Sequence, residues 1–540
     1  MTSVIRAAAL ASIITSVLAA TRGDAQGCAR NAQVRTTQLA GPGADYVRLM
    51  ELADTSLAIP LLARRLSDNV SSPRCSGELW SPTMGYATTL NRTVTVMPFS
   101  LASTYNSAIP VDRNNGSMWA GRGLSAGLQG GAIFRAGPVT IGALPEFSYQ
   151  QNRGFDSLPR FTDAVSGYAS GLYYQIDLPQ RFGPDSYINV DAGQSYVRLD
   201  GRNIGVGLSN ENIWWGPGIS NAILFTNTAP GFPHLFAKTR SPFNIGIGRL
   251  GLEAFWGRAT ESDYFDSDPT NDHDMISSSL ITFVPHGTRG LTLAFGRTFT
   301  LPWDSVGTRT FTRLLQPFLA KSLSTTSNPQ GHSVDDQRLS FLARYVLPAS
   351  QFELYGEWAR EDASYDTPDL ISELEHSSGH VIGLVKGFNK TSDSFNRFYA
   401  EVTNLQSLRQ DRPGIRPNAP FYLHAPHGHT QRGQLLGASI GPGGESQLVG
   451  MDFFRKWGLG GFFLERVRRD EFSLRAQYFW TAAFPPLHDV ELTGGVRWTR
   501  QLGPMRFDGS FSTGKRRNRN FLRNETNKEL NAAFTWTPGS

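Results

Sequence analysis

From Ser81-Pro82 to the C-terminus, apolar and polar residues alternate with a period of two. Leu124, Ala126, Leu128, Ala132 and Phe134 share one face of 124–134, with Ser125, Gln129 and Arg135 on the other. In 352–358 the row Phe352, Leu354, Trp358 opposes Glu353, Tyr355 and Glu357. The last third repeats this: Val490, Leu492, Val496 and Trp498 against Glu491, Thr493 and Arg497; Phe507 and Phe511 against Arg506, Asp508 and Ser510; Leu530, Phe534 and Trp536 against Glu529, Asn531 and Thr535. Extended backbone sends successive side chains to opposite faces, so each run predicts a β-strand. Only 45–53 reads differently: Tyr46, Leu49, Met50 and Ala53 recur at helical spacing. Pro60 interrupts, and a second short helix is expected over 61–66.

Alternation alone also suits a β-sandwich. What separates the two is charge on the polar face of strand after strand, with Trp358, Trp480, Trp498 and Trp536 near strand ends. In a membrane barrel the apolar row meets lipid, the charged row lines the lumen and aromatics ring the interfaces. Sheet edges are intolerable in hydrocarbon, which forces closure. Residues 86–540, at about 25 residues per strand and connection, predict a closed antiparallel transmembrane β-barrel of roughly eighteen strands, an all-β fold. Side chains alone do not fill a lumen that wide. Short links such as Pro348-Ala349-Ser350 are expected to face the periplasm, and the longer 260–275, 302–336, 360–378 and 405–432 to be outer loops.

The N-terminus adds an export signal. Arg6 precedes an apolar stretch from Ala7 to Ala20, too short to span a bilayer, and Gly23-Asp24-Ala25 offers a small-residue cleavage site. The chain therefore divides into a signal peptide (1–25), an N-terminal periplasmic helical segment (26–85) and the barrel (86–540). Ala25-Gln26-Gly27-Cys28 has the outline of a lipoprotein box, but Arg22 and Asp24 part it from the apolar run, so no lipid anchor is expected. Cys28 and Cys75 are the two cysteines, and in an oxidising compartment a bridged pair is favoured over two buried thiols. Composition agrees with the barrel: 55 glycines, 11% aromatics and no membrane-length apolar run. The net charge of +5 is spread thinly apart from Lys515-Arg516-Arg517 with Arg519. That cluster reads as a solvated hairpin loop, with anionic lipopolysaccharide or an acidic polymer as company rather than nucleic acid.

Three short motifs carry little. Gly123-Leu124-Ser125-Ala126-Gly127 has the nucleophile-elbow spacing, but alternation continues through it where a helix should begin. Gly246-Ile247-Gly248-Arg249-Leu250-Gly251 fits a dinucleotide fingerprint and fails for the same reason. His424, His427 and His429 lie in a proline-rich loop with no adjoining cysteine or carboxylate, so no metal is expected. No nucleophile–base constellation remains, and neither enzyme activity nor a cofactor is expected.

The stretch "ENIWWGPGISNAILFTNTAPGFPHLF" at 211–236 is different. Trp214 and Trp215 run into Gly216-Pro217-Gly218, a turn no central strand accepts. One reading puts the indoles in the interfacial girdle, although neighbours on a strand point to opposite sides and only one fits there. The other makes an indole a platform for pyranose rings, with Glu211, Asn212, Asn221 and His234 bonding hydroxyls and Gly216, Pro217 and Gly218 aiming the ring.

This stretch, with "WAGRGLSAGL" at 119–128, "LPEFSYQQN" at 144–152, "DAGQSYVRL" at 191–199 and the "DYVRLMELA" helix at 45–53, resembles the Wzi-type capsule-assembly proteins of the Gram-negative outer membrane. The resemblance is specific between about 116 and 265 and architectural beyond. It implies a closed barrel with a small helical element and a non-catalytic, lectin-like role: binding exported capsular polysaccharide and anchoring it at the cell surface. The chain departs from the usual barrel pattern in ending Trp536-Thr-Pro-Gly-Ser540, without a terminal aromatic. A porin-like channel or transporter for saccharides is the alternative, because a wide charged lumen suits either role.

Overall fold

The computed structural model describes residues 40–53, 62–65, 93–160, 166–303 (without 174 and 270), 336–361, 377–406, 420–423, 428–471 and 488–537, together with 34–35, 71–72, 79, 88–89, 374–375 and 473. The expected signal peptide, Cys28, Cys75, Trp480, His424 and His427 lie outside these residues. The second helix expected over 61–66 does not form in its described part, 62–65, because Ala63–Arg64 is extended and pairs with Trp214–Trp215.

Eighteen staves form one sheet. They are β1 (Val94–Asn106), β2 (Gly123–Ala136), β3 (Val139–Ala143 with Glu146–Gln150), β4 (Tyr187–Asp191 with Tyr196–Asp200), β5 (Ile204–Ser209) and β6 (His234–Thr239 with Phe243–Asn244). Next come β7 (Gly248–Thr260), β8 (His273–Pro285), β9 (Leu291–Pro302), β10 (Asp336–Leu347), β11 (Phe352–Glu361) and β12 (Ser378–Phe388). The last six are β13 (Ser394–Asn404), β14 (Glu445–Arg455), β15 (Gly458–Arg468), β16 (Val490–Leu502), β17 (Met505–Arg519) and β18 (Arg523–Trp536). Each pairs antiparallel with the next, and β18 returns to β1, Leu530 opposite Tyr105 and Trp536 opposite Phe99, so no edge is left open.

The facing follows the sequence pattern. Leu492 (59% exposed), Val496 (50%) and Trp498 (43%) point outward, while Glu491 and Thr493 are each 3% exposed and point inward. Leu124, Leu128, Phe134 and Leu354 likewise project outward, and Ser125, Glu353 and Glu357 are buried. An apolar exterior around a charged interior is stable only where hydrocarbon replaces water outside. Neither glycine motif leads into a helix: Ser125 of β2 donates its hydroxyl to the Trp119 carbonyl at 3.0 Å, and the second motif bends at Gly246-Ile247 and enters strand β7 at Gly248.

Most connections at one end are short, among them the single turn Pro348–Ser350 between β10 and β11. At the other end, 107–122, 151–186 and 210–233 join strands by long segments, and much of their length turns back into the lumen with 428–444. Together with 40–53 and 62–65 they form a plug. Its apolar residues share two buried clusters with the wall, one around Tyr46, Leu49, Tyr355 and Phe454, the other around Trp215, Phe225, Phe255 and Leu280.

The helix α1 (Pro42–Glu51) is the deepest part of the plug near the short-turn end. Sequence placed it in a separate periplasmic segment; in the structure it lies inside the barrel. One face buries Tyr46, Leu49 and Met50. The other presents Asp45, Arg48 and Glu51, spaced by three so that they share a stripe. Each meets wall charges: Asp45 reaches Arg397 of β13 (2.7 Å) and Arg497 of β16 (2.9 Å), Arg48 reaches Glu353 of β11 (3.0 Å), and Glu51 reaches Arg344 of β10 (2.8 Å). Burial alone would raise the Asp45 carboxyl, but the Arg397 and Arg497 guanidinium groups hold it below the usual carboxylate range.

Asp45→Ala would leave Arg397 and Arg497 with Asp452 alone, and removing one partner of a buried pair costs about 3–5 kcal/mol. Residues 40–53 should then become sensitive to trypsin in a barrel that still shifts on heating in gel electrophoresis. Unchanged protection would contradict the ion-pair account of docking.

Candidate functional site: the plugged lumen

Trp214 and Trp215 form a two-residue antiparallel ladder with Ala63 and Arg64, inside the barrel. Their side chains point to opposite sides of it, as extended backbone requires. Trp214 lies under the Arg64 guanidinium, 4.5 Å from the ring centroid. Trp215 packs edge-on to Phe225 (5.5 Å) and against Phe255 of the wall (5.3 Å). Both are 0% exposed. Neither is in the lipid-facing girdle, and neither ring face is open to a polymer in this arrangement.

The turn after them is fixed by glycine and by wall carboxylates. A Cβ at Gly218 would sit 1.8 Å from the Asn221 carbonyl oxygen, and Gly216 has φ +151° with Ala222 2.5 Å from where its Cβ would be. Arg64 donates to the carbonyls of Gly216 (3.0 Å) and Gly218 (2.7 Å). Burial and the nearby charges of Arg48 and Arg344 pull Arg64 down to about 9, which leaves it cationic at neutral pH. Pro217 is buried between these glycines. From β13, Glu401 accepts the backbone N–H of Ile219 (2.5 Å), Ser220 (3.1 Å) and Asn221 (3.0 Å); from β11, Glu357 accepts that of Ile223 (3.1 Å). Inward carboxylates thus satisfy the donors of a buried loop, which would otherwise be costly.

The other sequence-predicted residues are also buried and bonded within the plug. Asn212 donates to the Ala229 carbonyl (2.7 Å) and accepts from Gln194 (2.6 Å). Glu211 accepts from Ser209 at 3.0 Å. Asn221 donates to Thr403 (3.3 Å) and accepts from Ser439 (3.1 Å). His234 bonds Arg65 through Nε2 (2.7 Å) and the Phe232 carbonyl through Nδ1 (2.8 Å). His429 has Nε2 on the Leu224 carbonyl (2.6 Å) and Nδ1 facing Arg338 (3.2 Å). Burial and Arg338 hold its imidazole well below the usual range, so it is neutral.

Two further carboxylates stitch the plug loops together. Asp177 accepts from Ser262 N (2.8 Å), Ser262 Oγ (2.6 Å) and Gly433 N (2.8 Å). Asp112 accepts from Asn115 (2.7 Å), Ala120 N (3.3 Å) and Gln434 (3.0 Å). Burial pushes both up to about 6.

Between this scaffold and β1–β3 lies a cavity of about 250 Å³, lined by Asn114, Asn115, Ser117, Gln129, Glu146 and Gln194 among others. Glu146 organises the wall, accepting from Ser117 (2.7 Å), Gln129 (2.8 Å) and Gln194 (3.1 Å). Asn212 sits one hydrogen bond behind it, through Gln194. Amides, hydroxyls and one carboxylate around a small void match the donors and acceptors of a sugar residue. The sequence reasoning did not single out Glu146 or Gln194, although both lie in stretches quoted for the resemblance, 144–152 and 191–199. Among the described residues no cluster has the makeup of a metal site.

If Trp214 and Trp215 are structural, changing both to alanine should loosen the plug. A large buried aromatic truncated to alanine costs about 3–5 kcal/mol. The double variant should assemble as a barrel but pass more ions in a planar bilayer than the unaltered protein. Lost ligand binding without any gain in conductance would favour the stacking role instead.

The geometry agrees with comparisons to known proteins. The family described as capsule assembly protein Wzi matches residues 130–456, more than half of the chain. No curated protein matches it by sequence. Among solved structures, Wzi of Escherichia coli, described as an outer-membrane protein involved in group 1 capsule assembly and a carbohydrate-binding β-barrel, superposes with a TM-score of 0.54 at 13% identity, covering 82% of this chain and 84% of that one. OccAB3 of Acinetobacter baumannii gives 0.41 at 10% identity (82% and 98% covered), and a BenF-like porin of Pseudomonas fluorescens Pf-5 gives 0.39 at 10% (82% and 98%). With its closed barrel of eighteen staves and a family match spanning the plug loop 210–233, the chain belongs to the Wzi capsule-assembly family.

Proposed function

We propose that this barrel holds exported capsular polysaccharide at the outer face of the outer membrane and does not chemically change it. The observation that carries the reading is the filled lumen. Two apolar clusters and a ring of ion pairs occupy the space through which a porin would conduct. The polymer is then a ligand of the plugged end rather than cargo for a pore. The polar cavity beside Gln194 is sized for a single sugar residue, and the loop 210–233 supports it through Asn212. On this reading Trp214, Trp215 and Gly216-Pro217-Gly218 contribute by building that support.

The short turns face the periplasm and the long connections face outward, as in other bacterial barrels. Lys515 and Arg517 continue the outward row of Phe507 and Phe511 toward the long-loop end. There they suit the anionic headgroups of lipopolysaccharide.

The test is capsule retention. Cells lacking the protein should release polymer to the medium, and the protein supplied in trans should restore the cell-bound fraction. A Gln194→Leu variant, which alters the cavity wall, should restore less at equal barrel levels. Equal retention with and without the protein would remove the reading. Saccharide-permeable conductance of the unaltered protein would establish the transporter instead.

A further inference from the structure

The basic run Lys515-Arg516-Arg517 with Arg519 is divided by its strand rather than pooled in a loop. Lys515 and Arg517 point outward. Arg516 grips Asp489 with two hydrogen bonds of 2.7 Å. Arg519 follows an irregularity in the β17–β18 register and turns inward at the long-loop end. It lines a cavity of about 400 Å³ there, with Arg122, Arg523, Phe155, Asp156 and Glu525.

Arg519 is 6% exposed, and its Nε has no hydrogen-bond partner. Its Nη2 donates to the Asp156 carbonyl (2.6 Å), and its Nη1 lies 3.7 Å from Glu525. Arg122 is held by the carbonyls of Ser107 (3.3 Å) and Gly154. Arg523, about half exposed, reaches both Asp156 and Glu525. Three guanidinium groups therefore share the cavity with two carboxylates, and the Asp156 side chain that pairs with Arg523 is 72% exposed. The Arg519 guanidinium lies over one face of the partly exposed Phe155 ring, 5.8 Å from its centroid, so a ligand has only the opposite face to pack on.

An aromatic face beside guanidinium forks offers two complementary contacts. The ring takes the C–H face of a pyranose, and the forks take a carboxylate in paired hydrogen bonds. A bare phosphate would use the forks and leave the ring idle. We propose that this cavity binds the carboxylate of a uronic acid residue, so that the polysaccharide this barrel retains is acidic. Its biological meaning rests on the capsule-binding reading above.

Trigalacturonate and its methyl ester, alike in size and different in charge, are to be titrated into the full chain in detergent. The acid should bind at least about tenfold more tightly than the ester, since hydrogen bonds to charged groups are the strong ones. Salt should erode that preference. Arg523→Gln should lose part of it, and Arg519→Gln with Arg523→Gln all of it, in barrels that keep their heat-dependent gel shift. Equal binding of acid and ester by the unaltered protein overturns the proposal. So does a preference that survives both variants, or displacement of trigalacturonate by an equal concentration of inorganic phosphate. Capsule retained normally by cells carrying the double variant overturns this site and leaves the capsule-binding reading standing. Trigalacturonate bound by a protein that retains no capsule overturns that reading and leaves the site.

Discussion

A charged side chain on the inner wall of a membrane barrel needs either water or a counter-charge. In this protein much of the counter-charge comes from the chain's own plug. Around α1, the carboxylates of Asp45, Glu51, Glu353 and Asp452 face the guanidinium groups of Arg48, Arg344, Arg397 and Arg497. Higher in the lumen, Arg65 pairs with Glu253 (2.6 Å) and Arg113 with Glu465. Such pairs add little net stability over apolar packing, but breaking one is costly, so they specify position. The wall tells the plug where to sit, and without the plug the wall would hold unpaired charge.

That constraint explains the paired tryptophans. A buried loop brings backbone donors into a dry space, and Glu357 and Glu401 supply the acceptors. Indole and phenyl rings then exclude water around those bonds, with Trp215, Phe225 and Phe255 in mutual contact. The result is a barrel whose interior resembles a soluble core wrapped in charge. Such an interior fills the space that an open pore would need.

The barrel was legible from sequence because lipid reverses the usual solvent rule. Leu492, Val496 and Trp498 could face only hydrocarbon, and Glu491, Thr493 and Arg497 only the lumen, once charge recurred on every polar row. The α1 helix was legible as a helix, since Tyr46, Leu49 and Met50 keep the 3.6-residue spacing. Its lodging was not: Asp45 meets Arg397 and Arg497, hundreds of positions away, and no local pattern announces such a partner. The same holds for 211–236. Local chemistry showed a rigid turn carrying two indoles, but whether the turn faced sugar, lipid or protein depended on Arg64, Glu357 and Glu401. Glu146 and Gln194 were hidden for a related reason, as polar residues on an inward row look alike until a cavity opens beside a few of them.

The central claim is that the plug is a permanent core and not a movable stopper. Amide hydrogen exchange in bilayers measures it directly, at residues 42–51 and 213–224. Protection comparable to that of β16–β18 is the result this account predicts. Exchange as fast as that of exposed loop tips, in a fully assembled barrel, would contradict it.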